Sequence, residues 1–146
     1  MKRAMVVAVL LSAALWSPGH GQEIVPLKGG PPPSAWMRLG DAGSVRMGRG
    51  TFCWIGTCAD LFGPLKGQRL PRVQVPKGTP ITFRFKFRLD DLSISRDNRP
   101  VERKRNFEQT PRKFKWTANR SGLYSVFVRD AKDKGDVSYQ FKLRVW

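Results

Sequence analysis

Ile81-Thr82-Phe83-Arg84-Phe85-Lys86-Phe87-Arg88-Leu89 places an apolar side chain at every odd position and a polar or basic one at every even position. A helix would scatter the three phenylalanines around its circumference, whereas an extended chain puts them all on one face. This strict period of two predicts a β-strand with one buried and one solvated face. The device returns in Val137-Ser138-Tyr139-Gln140-Phe141-Lys142-Leu143-Arg144-Val145, in the set Tyr124, Val126 and Val128, and more briefly in Lys113-Phe114-Lys115-Trp116. Phe127 makes the Tyr124 strand apolar on both sides.

Turn signals separate these runs: Pro76-Lys77-Gly78, Asn119-Arg120-Ser121-Gly122 and Lys132-Asp133-Lys134-Gly135. From Trp36 onward no segment sustains an apolar 3.6-residue period, and no repeat of fixed period is present. Short strands punctuated by Gly and Pro, with no helices between them, predict an all-β fold of antiparallel sheets packed as a sandwich.

The chain before Trp36 has a different character. Lys2 and Arg3, the short apolar run Met5 to Trp16 and the small-residue exit Gly19-His20-Gly21 predict a cleaved export signal over residues 1–21. The apolar run is too short to span a bilayer, no second one follows, and no cysteine near the exit offers a lipid anchor. The expected product is a soluble exported protein, periplasmic or extracellular, with no transmembrane segment. Residues 22–34, with Gly29, Gly30 and Pro31-Pro32-Pro33, read as a Pro/Gly-rich tether. An edge strand around Glu23 to Leu27, docked on the domain, is the alternative. Residues 35–146 then form one domain, within a mature chain of about 125 residues that suffices for a single two-layer core.

Lys and Arg number 27 against 11 Asp and Glu, a net charge of +16. Such an excess favours polyanions as partners: nucleic acid, an acidic glycan or an anionic membrane surface. His20 is the only histidine and belongs to the signal. Its loss removes the Ser/His/Asp triad, the Cys/His pair, the His-ligated zinc site and the usual neutral-pH proton shuttle. Two-carboxylate hydrolysis survives only formally. Asp90-Asp91, expected where the long strand ends, reads as a turn tempering the local positive charge, and Lys132 and Lys134 oppose a calcium site built on Asp130, Asp133 and Asp136. No catalytic residue, metal or cofactor is assigned.

Gly50-Thr51-Phe52-Cys53-Trp54-Ile55-Gly56-Thr57-Cys58-Ala59-Asp60 is the most distinctive local sequence. Two cysteines in an exported chain most simply pair, and four intervening residues that include Gly56 can turn tightly enough, so Cys53–Cys58 is expected as a disulfide that pins a hairpin and holds Trp54. A redox catalyst would call for the narrower Cys-x-x-Cys at a helix start. A Cu(I) site would need Cys53, Cys58, Met37 and Met47 to converge with reduced thiols.

Ser121-Gly122-Leu123-Tyr124 with its alternating valines, following a long strand introduced by Pro-Lys-Gly, resembles the later strands of bacterial immunoglobulin-like domains over roughly Arg72 to Trp146. The resemblance implies an immunoglobulin-like sandwich, with Tyr124 closing a corner through a hydroxyl bond to upstream backbone. The cysteine segment in turn is similar to one in small exported bacterial proteins and lipoproteins, where Gly-Thr-Tyr-Cys-Trp is followed by a cysteine and an acid. Phe52 stands here in place of that tyrosine, and the lipid-anchoring cysteine is missing. The likeness implies no catalytic residue.

Burial of the odd face of residues 81–89 turns Arg84, Lys86 and Arg88 outward, and Lys113 and Lys115 share that phase on their own strand. In immunoglobulin-like order the strands bearing Phe83 and Phe114 are neighbours, so these five bases are expected on one continuous face. The strand bearing Phe141 belongs to the opposite sheet. Arg103, Lys104 and Arg105 extend the basic region as a loop, with Phe107 the candidate exposed stacker. The competing reading is a solvated face that discourages edge-to-edge aggregation. The expectation is thus a non-enzymatic exported binding or envelope-associated module. A structural module for another envelope protein, a thiol redox protein and a Cu(I) binder are the alternatives.

Overall fold

The computed structural model describes residues 30–59 and 69–146, so the expected export signal and tether residues 22–29 lie outside the described residues. All of the regular structure described is β: β1 (Trp36–Leu39), β2 (Ser44–Arg46), β3 (Gly48–Trp54), β4 (Thr57–Ala59), β5 (Arg72–Val75), β6 (Pro80–Arg84), β7 (Leu89–Arg96), β8 (Arg99–Lys104), β9 (Lys113–Thr117), β10 (Gly122–Asp130) and β11 (Gly135–Val145). Among the described residues no helix is long and apolar enough to cross a membrane.

Two sheets pack face to face. One has four strands in the order β2-β1-β6-β9, and the other seven, in the order β4-β3-β11-β10-β7-β8 with β5 also on β11. The inward sides of the alternating runs meet in one core that includes Met37, Ile81, Phe83, Leu92, Val126, Tyr139 and Phe141. Rings dominate its centre: Tyr124 stacks on Phe141 with centroids 5.4 Å apart, and Trp116 meets Tyr124 edge-on at 5.1 Å. Pairing is antiparallel throughout except for β5, which runs parallel to the last four residues of β11. β3 occupies the same edge of β11 only as far as Gln140, and β5 takes over from Lys142.

The stretch 81–89 is not one strand. β6 ends at Arg84, β7 starts at Leu89, and the four residues between them carry the chain from the small sheet to the large one. The alternation survives the crossing, with Phe85 and Phe87 buried and Lys86 and Arg88 exposed, because burial depends on which side faces the core and not on which strand is the neighbour. Phe87 packs 4.9 Å from the Trp54 ring, and the amides of Phe85 and Leu89 donate to the carbonyls of Arg112 and Pro111. Asp90-Asp91 accordingly opens β7 and is no turn. An Asp91 carboxylate oxygen accepts the Asn106 amide at 3.0 Å, and the other lies 3.7 Å from Arg129.

Three local devices fix the frame. The Tyr124 hydroxyl donates to the Arg120 carbonyl at 2.6 Å, closing the corner before β10. Cys53 and Cys58 sit opposite one another in the β3–β4 hairpin and are bridged, with Ile55 and Gly56 both at positive φ in its two-residue turn. Asp130, almost fully buried, accepts the amides of Lys132 and Lys134 at 3.1 Å each and so shapes the β10–β11 turn. At the other end, Pro32 is buried and the Pro33 carbonyl accepts the Tyr139 hydroxyl, so the last residues of the expected tether lie against the domain.

Candidate functional site

The outer face of the four-stranded sheet is built by register. Trp36 is paired with Arg46 on one side and Arg84 on the other, and Arg84 with Lys113. The row Arg46, Trp36, Arg84, Lys113 therefore crosses all four strands, about 14 Å at the usual strand spacing. The next outward row is Ser44, Arg38, Thr82, Lys115. The inward partners of these residues, Met37, Ile81 and Phe83, are fully buried, which forces the charged set outward.

No outward position on the four strands carries an acid. Arg38, Arg84, Lys113 and Lys115 surround a shallow depression of about 380 Å³, with Asp41 the acid among its lining residues. Arg38 is steadied by a 3.2 Å bond from its Nε to the Gly40 carbonyl. Trp36 is 40% exposed between two arginines, a flat apolar surface flanked by positive charge. Five cations at strand spacing can neutralise successive anionic groups of an extended chain, and an exposed indole can stack on a base or a sugar ring.

The structure brings together Arg84, Lys113 and Lys115 among the residues expected from sequence. Lys86 and Arg88 stand in the corner between the sheets, where an Arg88 nitrogen donates to the Thr110 carbonyl at 3.4 Å. Arg103 and Lys104 are not in a loop: they lie on β8, the edge strand of the other sheet, opposite Ser93 and Leu92, and Arg105 follows directly. Phe107 is no free stacker, since it is half-buried against the core and meets Phe114 edge-on at 6.0 Å. Trp36, Arg38 and Arg46 were missed by sequence reasoning. Each is an even-numbered polar or amphipathic residue flanking a buried one, the same signal that exposed Arg84, but short β1 and β2 gave it too few repeats to stand out.

Elsewhere the arrangement offers little chemistry. Cys53 and Cys58 are exposed on their hairpin while Met37 and Met47 are buried in the core, so the four sulfurs do not converge. Among the described residues no three His, Cys, Asp or Glu side chains cluster as a metal site. Lys142 and Arg144 lie on β11 of the seven-stranded sheet, as anticipated for the Phe141 strand. The chain matches no protein-family model and no curated protein.

Proposed function

We propose that the protein is a non-enzymatic exported binding module that takes a polyanion on the outer face of its four-stranded sheet. The observation that carries this reading is the four-strand row Arg46, Trp36, Arg84, Lys113, flanked by Arg38 and Lys115 and unbroken by any acid on the strands. Electrostatics supplies the attraction and Trp36 a stacking surface; Lys86 and Arg88 widen the positive field at the corner. In this reading the sandwich is of the immunoglobulin-like kind, supported by the Tyr124 corner bond, and the chain resembles the small exported bacterial proteins that share its cysteine segment. The formed disulfide and the +16 charge suit an oxidising, extracytoplasmic setting with anionic surfaces at hand.

The test is a salt series on single-stranded DNA and heparin with the purified protein. Five engaged cations give a slope of log affinity against log salt of about −3.5 on single-stranded DNA. Trp36→Ala should weaken binding while leaving that slope in place, because stacking releases no counterion. A slope near zero, or a Trp36→Ala variant indistinguishable from the parent, would sink the reading.

A second reading has its own observation. β8 and β9 are the outermost strands of their sheets, and between them runs a groove of about 610 Å³ lined in part by Trp116, Phe114 and Tyr124. Strand edges that are unpaired among the described residues, beside an aromatic groove, suit pairing with an extended segment of another envelope protein. Salt-insensitive capture of a protein, with no polyanion affinity, would favour it.

A further inference from the structure

β3 carries a bulge whose effect is to re-aim one arginine. Val137 of β11 pairs with Phe52 and Tyr139 with Arg49, so Ser138 faces two residues, Thr51 and Gly50. Strict alternation from buried Phe52 would send Arg49 outward. The extra residue instead sets it opposite Tyr139, whose side chain is fully buried, and ladder partners share a face. Gly50 permits this, since a Cβ there would lie 2.5 Å from the Ser138 oxygen. Ser138 itself donates to the Thr51 carbonyl at 3.1 Å.

The result is a charged group turned into a recess with no counter-charge among the described residues that line it. The Arg49 Nε is buried and has no hydrogen-bond partner. It belongs to a recess of about 220 Å³ lined by Ser34, Arg46, Met47, Arg49 and Tyr139, with no carboxylate among them. The Tyr139 hydroxyl is committed to the Pro33 carbonyl. Arg49, Arg46 and Ser34 therefore border one recess, in which the Arg49 Nε is a buried donor left unpaired, and leaving a buried charged donor unpaired is costly.

We infer that this recess binds a small oxyanion, a sulfate or phosphate group, with Arg49 Nε–H and the Arg46 guanidinium donating to its oxygens and Ser34 adding a hydroxyl. Arginine's planar donor fork matches such groups, and the recess is large enough for one with its water. The inference stands apart from the sheet face: it rests on the bulge and the unpartnered Nε, although Arg46 borders both.

The test is a titration of the ¹⁵N-labelled protein with sodium sulfate and with sodium phosphate against sodium chloride at matched ionic strength, read at the arginine Nε–H resonances. The expected result is a saturable shift of Arg49 Nε–H with either oxyanion and none with chloride. Arg49→Met should weaken the binding at least about tenfold, as expected for loss of a charge-assisted bond. The face variant Arg84→Glu/Lys113→Glu should keep it, so failure of the polyanion reading and failure of this one are distinguishable. An Arg49 resonance that moves only as it does with chloride overturns the inference on the parent protein alone, whatever the stability of the variant. Undiminished sulfate binding in Arg49→Met overturns it equally.

Discussion

Raising the pH should destabilise this protein through its two tyrosines, Tyr139 above all. The chain has only Tyr124 and Tyr139, and both rings are buried. Burial pushes both phenols above their ordinary value of 10.0, far more strongly for Tyr139, while the Arg96 guanidinium beside Tyr124 and the Arg49 guanidinium beside Tyr139 oppose the shift. A group whose folded pKa is raised contributes stability that is fully present below the unfolded value and is lost as pH climbs toward the folded one. Tyr139, kept protonated in the fold, should then cost about 1.4 kcal/mol per pH unit above 10, and Tyr124 adds a smaller loss of the same sign. Two units above 10 therefore remove about 2.7 kcal/mol through Tyr139 alone, a large share of a total stability of roughly 5–15 kcal/mol. The assay follows tyrosinate absorbance and tryptophan fluorescence together on rapid pH jumps. Tyrosine ionisation should coincide with loss of native fluorescence, and Tyr139→Phe should remove the larger share of the alkaline slope. A tyrosinate signal rising near pH 10 with native fluorescence intact would refute the reasoning, as would an unchanged slope in Tyr139→Phe.

Gly135→Ala should destabilise by about 3 kcal/mol or more, because its Cβ would overlap the Cys53 carbonyl oxygen at a backbone φ of +139°; urea unfolding reads the loss. Ile55→Asn should raise stability by about 1 kcal/mol, since a β-branched residue sits at φ +46° in the hairpin turn; the melting temperature should rise. Cys53→Ser/Cys58→Ser closes no loop in the unfolded chain and should cost about 2 kcal/mol while leaving polyanion affinity intact, as checked by unfolding and binding on the same preparation.

Burial was more legible in the sequence than pairing. The period of two at residues 81–89 located every buried side chain there, yet it spans two strands of different sheets, because alternation records the core side and carries no information on neighbours. The runs at Lys113, Tyr124 and Val137 appear as β9, β10 and β11, and the Cys53–Cys58 hairpin is present. β8 escaped notice because all six of its residues are exposed and no apolar rhythm marks it. The basic face was half visible for a related reason: Arg84 and Lys113 sit in strongly patterned strands, whereas Arg38, Arg46 and Trp36 join them only through the β1–β2 and β1–β6 registers. The re-aimed Arg49 depends on a bulge whose sole sequence mark is Gly50, one glycine among 14.

The most direct test of the central claim compares two variants of identical net charge: Arg84→Glu/Lys113→Glu on the sheet face and Lys132→Glu/Lys134→Glu in the β10–β11 turn. Binding of each to single-stranded DNA and heparin is measured at physiological salt. If the face is the site, the first pair loses at least about tenfold in affinity and flattens the DNA salt slope by about 1.4, while the second stays close to the parent. Equal losses in both pairs would show that only net charge matters, and would contradict the account.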